Sequence, residues 1–149
     1  MHRITRHLML LLVALGLLVP GLSRAQGQSE VARLINQGYD LLEQGKIDQA
    51  QKIYENVLRQ DSGQPLALNN LAAIMVKQGN YDQALRYLNQ ALPRAKGQLV
   101  TFSRVCDVNG VCAAYRMSED QFGSDDLEGV IKINIMMVQM ARSAGPTRK

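Results

Sequence analysis

Apolar residues recur along this chain in several rhythms, and each rhythm predicts a different element. From Leu8 to Val19 they run almost unbroken, LMLLLVALGLLV, between the basic Arg3 and Arg6 and the pair Pro20-Gly21. From residue 31 to about 95 they return at intervals: Leu34, Leu41 and Leu42, then Tyr54, Val57 and Leu58, then Leu68, Leu71, Ala72 and Met75, then Leu88, Ala91 and Leu92. Spacings of three, four and seven keep such residues on one side of a helix, so this stretch predicts two helical hairpins with apolar stripes. Over 99–117 the pattern changes: Val100, Thr101, Phe102, Val105, Val108 and Val111 lie around Asn109-Gly110, which predicts a β-hairpin. The stretch SDDLEGVIKINIMMVQMARSAGP, from Ser124, carries helix punctuation. Ser124 or Asp125 can cap its start, Asp125, Asp126 and Glu128 suit the positive end of the dipole, and Arg142 with Gly145-Pro146 marks the stop. Within it, Val130 to Ile135 alternates like a strand, whereas Met136, Met137, Gln139, Met140 and Ala141 favour a helix, so 130–141 leaves both readings open with helix preferred. Apolar residues nearly encircle this segment, which predicts packing on two sides or one face left for a partner.

The two helical hairpins are spelled alike. EQGKIDQA at 43–50 returns as KQGNYDQA at 77–84. An ungapped overlay of 31–64 on 65–98 pairs Leu34 with Leu68, Asn36 with Asn70, Gln44-Gly45 with Gln78-Gly79, Asp48-Gln49-Ala50 with Asp82-Gln83-Ala84, and Leu58 with Leu92. Gly45 and Gly79 suit the positive φ at a helix C-terminus. Asp48 and Asp82 fall where an acid complements the dipole of the next helix, and Ala50 and Ala84 are small where paired helices approach.

A period of 34 residues, with glycine at the break and alanine five residues on, resembles the tetratricopeptide repeat, a helix-turn-helix unit. The resemblance implies a mainly α fold: two units, 31–64 and 65–96, within a region 26–96. A β-hairpin and a C-terminal capping helix over 97–143 would follow, then a disordered tail, 144–149. In each unit the small residue expected in the first helix is present, as Gly38 and Ala72, but Gln37 replaces an apolar residue and Ser62 the usual proline, with Pro65 three positions later. Two units are fewer than the three or more that stacked repeats need to bury each other's faces. The last helix is therefore expected to close the stack in place of the first helix of a third unit, with the hairpin as an insertion before it.

The hairpin carries the two cysteines, Cys106 and Cys112. A loop of Val108-Asn109-Gly110 places them opposite each other, and a two-residue Asn109-Gly110 loop places them one register apart. In an oxidising compartment a bridge is expected, worth about 2 kcal/mol for so short a loop. The alternative, a redox-active pair, lacks the Cys-x-x-Cys spacing. Met136, Met137 and Met140 could form an adaptable binding surface, although core filling is the simpler reading.

Composition changes the picture at the chain's start. The basic residues, the twelve apolar ones and Ser23-Arg24-Ala25 read as an export signal cleaved before Gln26. Twelve residues are short against the roughly 20 that span a bilayer, which disfavours an uncleaved anchor. Removing residues 1–25 takes Arg3, Arg6, Arg24, His2 and His7 and no acid, leaving 14 basic residues against 13 acidic. A net charge of +1 gives no reason to expect nucleic acid or an anionic membrane surface, and no membrane insertion is expected after cleavage. A chain without histidine has no Ser-His or Cys-His nucleophile pair and lacks the commonest metal ligand. No enzyme activity, cofactor or metal is expected; the acidic pairs Glu119-Asp120 and Asp125-Asp126 read as solvated.

The resemblance then implies a non-catalytic protein–protein interaction module, periplasmic or secreted, assisting an envelope complex such as a pilus, secretion or export machine. By family position its groove would be lined by Ala32, Ile35, Tyr39, Leu42 and Glu43 with Leu66, Asn69, Ala73, Val76 and Lys77. Some family members grip a C-terminal carboxylate; Asn70 stands at one such position, but Ile35 and Tyr39 stand where lysine and asparagine would be needed, so no clamp is expected. An apolar groove favours an amphipathic helix or an extended apolar peptide. The alternatives are a self-associating homodimer built on apolar repeat ends, and a thiol redox protein using Cys106 and Cys112.

Overall fold

A computed structural model describes residues 20–101, 116–117 and 125–144. The chain divides into Met1–Glu30 and Val31–Lys149, and the packing below concerns the second unit. Its described part is mainly helical: α1 (Pro20–Glu43), α2 (Ile47–Gln60), α3 (Pro65–Lys77), α4 (Tyr81–Ala95) and α5 (Leu127–Ala144).

The octets at 43–50 and 77–84 close two helices in the same way. Gly45 and Gly79 have φ of 72° and 76°. The amide of Gly45 donates to Leu42 O at 2.9 Å and that of Lys46 to Leu41 O at 2.8 Å; Gly79 donates to Val76 O and Asn80 to Met75 O at the same two distances. This double reach-back satisfies carbonyls that a helix end otherwise leaves bare. Pro65 opens α3 behind Gln64, whose side chain accepts from Ala67 N at 2.9 Å.

α1 from residue 31, α2, α3 and α4 stack as two hairpins around one core. Every residue of α3 from Pro65 to Val76 is buried, because α2, α4 and α5 all pack against it. α2 and α4 bury one face each: Ala50, Tyr54 and Val57 in α2, and Ala84, Leu85, Leu88, Ala91 and Ala95 in α4. Gly38 is required by a close approach, since a Cβ there would lie 2.7 Å from the buried ring of Tyr54.

Pro93 lies inside α4, which runs past it to Ala95. So near a helix end a proline removes one hydrogen bond and disturbs one turn. Two residues beyond the helix end, Gly97 takes a φ of 74°.

The expected β-hairpin over 99–117 is not supported by the described residues. Leu99–Thr101 (β1) is three residues long and lies between Arg116–Met117 (β2) and Asp125–Asp126 (β3), antiparallel to both. Cys106, Val108, Asn109, Gly110 and Cys112 lie outside the described residues, as do 144–149 beyond Ala144. Asp125 and Asp126 were expected in or before the first helical turn; they form a strand, and the helix begins one residue later. Aspartate is depleted in strands, so neighbouring backbone, not propensity, places them there. Residues 130–141 are helical, because Leu127, Val130, Ile131, Asn134 and Val138 all turn inward at intervals of three and four. α5 packs along α4; Leu127 N donates to Gln98 O at 2.9 Å, and Arg142 meets Asp82 at 2.9 Å near its other end.

Candidate partner-binding face

The ten residues assigned to a groove are brought together on α1 and α3, but most are not offered to solvent. Ile35, Tyr39, Leu42, Leu66, Asn69, Ala73 and Val76 are buried. Ala32 is half-buried, and Glu43 and Lys77 are exposed at the ends of their helices. The folded chain thus presents a rim of opposite charge, two residues before each hinge glycine, around a face that is already covered.

Behind that face runs a line of buried polar side chains. Asn134 Nδ2 on α5 donates to Asn69 Oδ1 at 2.8 Å; Asn69 Nδ2 donates to Asn70 Oδ1 at 3.2 Å; Asn70 Nδ2 donates to the hydroxyl oxygen of Tyr54 on α2 at 3.1 Å. Asn69, Asn70 and Tyr54 have no exposed surface, and Asn134 has almost none. A buried amide without partners costs roughly 1–3 kcal/mol, and among the described residues no buried side-chain nitrogen or oxygen is without one. Asn70, which stands at a clamp position by family resemblance, is therefore built into the core. The octets gave no hint of this line; its only sequence signal is Asn134 on the inward stripe of α5, a lone polar residue among aliphatic ones.

The exposed large apolar residues among those described are Ile133, Met136 and Met140, at 54 %, 53 % and 57 % exposure. Their spacing of three and four makes one stripe on the side of α5 turned away from the core, and Met137 beside them is half-buried. Lys132, on the edge of that stripe, pairs with Glu128 at 2.5 Å, and the carboxylate raises the lysine above its ordinary value.

A second polar feature ties the units together. Asp61, in the turn between α2 and α3, receives Arg94 from α4 at 2.6 Å and 3.1 Å, one bond to each carboxylate oxygen, and also accepts from Gly63 N at 3.2 Å. The Arg94 hydrogen bond holds the Asp61 carboxyl below its ordinary value, outweighing the opposite effect of partial burial, and the arginine is raised in turn. Gly63 leaves room for that arginine, whose side chain a Cβ would strike.

Among the described residues no three His, Cys, Asp or Glu side chains gather as metal ligands, and no described helix is long and apolar enough to cross a membrane. Cys106 and Cys112, the candidates for a disulfide or thiol chemistry, and the acidic residues Glu119 and Asp120 lie outside the described residues.

Compared with known protein families, residues 41–100 match the tetratricopeptide repeat. No curated protein and no solved structure matches the chain.

Proposed function

We propose, from the match of residues 41–100 to the tetratricopeptide repeat, that the chain is a non-catalytic module that binds a protein partner in the bacterial cell envelope, where it assists assembly or stability of a larger complex. The repeat itself carries this reading: such repeats mediate protein–protein contact. Export rests on the leader-like pattern of residues 1–25 and would leave a chain beginning at Gln26, a mass that intact-protein spectrometry of material from cells can read directly.

The partner would meet the rim of the groove, because its floor is buried. Truncating Tyr39 or Leu42 would report on folding more than on binding, so the informative changes are Glu43→Lys and Lys77→Glu at exposed positions. Captured from envelope extract, a partner of this face should be lost or weakened by both changes while the melting temperature stays within about 2 °C, the small effect usual for surface substitutions. Equal capture by wild type and both variants removes the groove rim from the binding surface.

A second reading, self-association, is favoured by the stripe of Ile133, Met136 and Met140. A two-fold interface sets one patch against its own copy, and an uncharged stripe meets itself without like-charge contact. Light scattering should then find a dimer that Met136→Lys disperses; a wild type that is monomeric at high concentration rejects it.

A further inference from the structure

The line Asn134, Asn69, Asn70, Tyr54 has a direction. Each amide NH2 donates to the oxygen of the next residue, from α5 through α3 to α2. Hydrogen bonds arranged head to tail polarise one another, so such a chain is stronger than its separate members. It also passes through α3, which lies between the closing helix and the first repeat unit. On the buried face of α5, Asn134 is the polar residue among Leu127, Val130, Ile131 and Val138. A slip of α5 by one turn would bring Val130, Ile131 or Val138 opposite Asn69 and take the Asn134 donor away from the Asn69 oxygen.

We propose that Asn134 is the register key of the closing helix, and that the amide line couples the seating of α5 to Tyr54 in the first repeat unit, so that both ends of the stack open together. A single buried asparagine fixes register in helical assemblies because every other register strands a polar group. The coupling departs from what repeat stacks ordinarily do. In them stability is close to a sum of unit and nearest-neighbour terms, so the closing helix would be indifferent to a hydroxyl on α2. Here the hydroxyl of Tyr54 accepts from Asn70 on the line, and its ring lies against Gly38 of α1. An event at the first unit, including a partner engaging it, would loosen the cap at the other end. The inference does not depend on which partner the module binds.

The test is a double-mutant cycle in the full chain, Tyr54→Phe with Asn134→Leu, read by urea unfolding. For residues that do not interact, effects on the unfolding constant multiply within about twofold. Coupling through the line predicts that Asn134→Leu shifts that constant at least fivefold less in the Tyr54→Phe background than in wild type. Should Asn134→Leu fail to fold, hydrogen exchange on Tyr54→Phe alone decides: amides of α5 should lose protection about fivefold, while the control Met136→Ala on the exposed side leaves those of α2 unchanged. Independent effects in the cycle, or unchanged protection of α5 in Tyr54→Phe, overturn the proposal.

Discussion

In the first repeat unit a glycine, Gly38, faces a tyrosine; at the equivalent positions of the second unit, 34 residues on, stand Ala72 and Leu88, both buried. The small residue of the first helix and the large residue of the second change together, a methyl group being added on one helix as bulk is removed from the other. The tyrosine brings something that leucine cannot. Its hydroxyl accepts from Asn70, so the first unit makes a polar connection to the second through the same contact that packs its two helices. The pair of units is thus one scaffold with two solutions to one packing problem, and the more polar solution sits where a neighbouring helix has an amide to satisfy.

The largest effect should come from mixing the two solutions. Gly38→Ala imports the small residue of the second unit without its leucine, and the new Cβ would lie 2.7 Å from the Tyr54 ring. Overpacking costs up to about 3 kcal/mol, against about 1 kcal/mol gained by replacing a helical glycine. A net loss of about 2 kcal/mol is expected by urea unfolding. Adding Tyr54→Leu should recover part of it, the remainder reflecting the hydrogen bond lost to Asn70. A single Gly38→Ala variant as stable as wild type would show that the ring has somewhere to go, and the comparison of the two packings would lose its basis.

The hinge glycines are where the units should behave alike. Gly45 and Gly79 share the left-handed conformation, and a Cβ at either meets nothing within 4 Å. Alanine at either position should therefore cost the same, about 1 kcal/mol, from the backbone alone. Unequal costs would mean that the two hinges differ in something other than backbone conformation.

Just after the hinge the units part again. Asn80 caps α4 with its side chain, accepting from Gln83 N at 3.2 Å, whereas Lys46 at the equivalent position of α2 makes no side-chain cap. The two residues have similar backbone angles, φ −84° and ψ 62° against φ −91° and ψ 70°. Lys46→Asn should accordingly stabilise the chain by about 0.5–1 kcal/mol, read as a raised urea midpoint with unchanged slope. The reverse change, Asn80→Lys, should lower it by a similar amount.

How much of this was legible follows from what repeats and what does not. Gly45, Gly79, Asp48, Asp82, Ala50 and Ala84 act within their own hairpins, so their roles could be read from spacing. The burial of the groove residues could not be read that way. Ala32 and Leu66 occupy equivalent positions, yet one is half-buried and the other buried, because α2, α4 and α5 all pack against α3. Asn134 was hidden for a related reason: a single polar residue on an apolar stripe looks like noise until Asn69 is found opposite. Asp125 and Asp126 misled because their chemistry suits a helix start, while their pairing with Leu99 and Val100 is a tertiary fact that no local pattern contains.

The smallest effect concerns the tie between the units, and it depends on pH. Asp61 closes the first unit and Arg94 lies near the end of the second, with 37 % and 54 % of their side chains exposed. Exposed pairs typically contribute about 0.2–1 kcal/mol, and the two-oxygen geometry puts this one toward the upper part of that range. Arg94 holds the Asp61 carboxyl below its ordinary value in the folded chain, while in the unfolded chain that carboxyl titrates near 3.9, as model peptides do. The folded state therefore binds the proton less well than the unfolded one, and the contribution is fully present above about pH 5. It fades as pH falls past about 3.9 and is gone once pH drops below the folded value. Asp61→Asn removes the titrating group, so the difference in urea midpoint between it and wild type should be constant from pH 5 to 7 and shrink below pH 4. In sodium chloride the difference should also shrink, since salt screens surface charge. A difference independent of both pH and salt would mean that the effect does not come from the ion pair that joins the units, since the asparagine oxygen can still accept the hydrogen bond from Gly63.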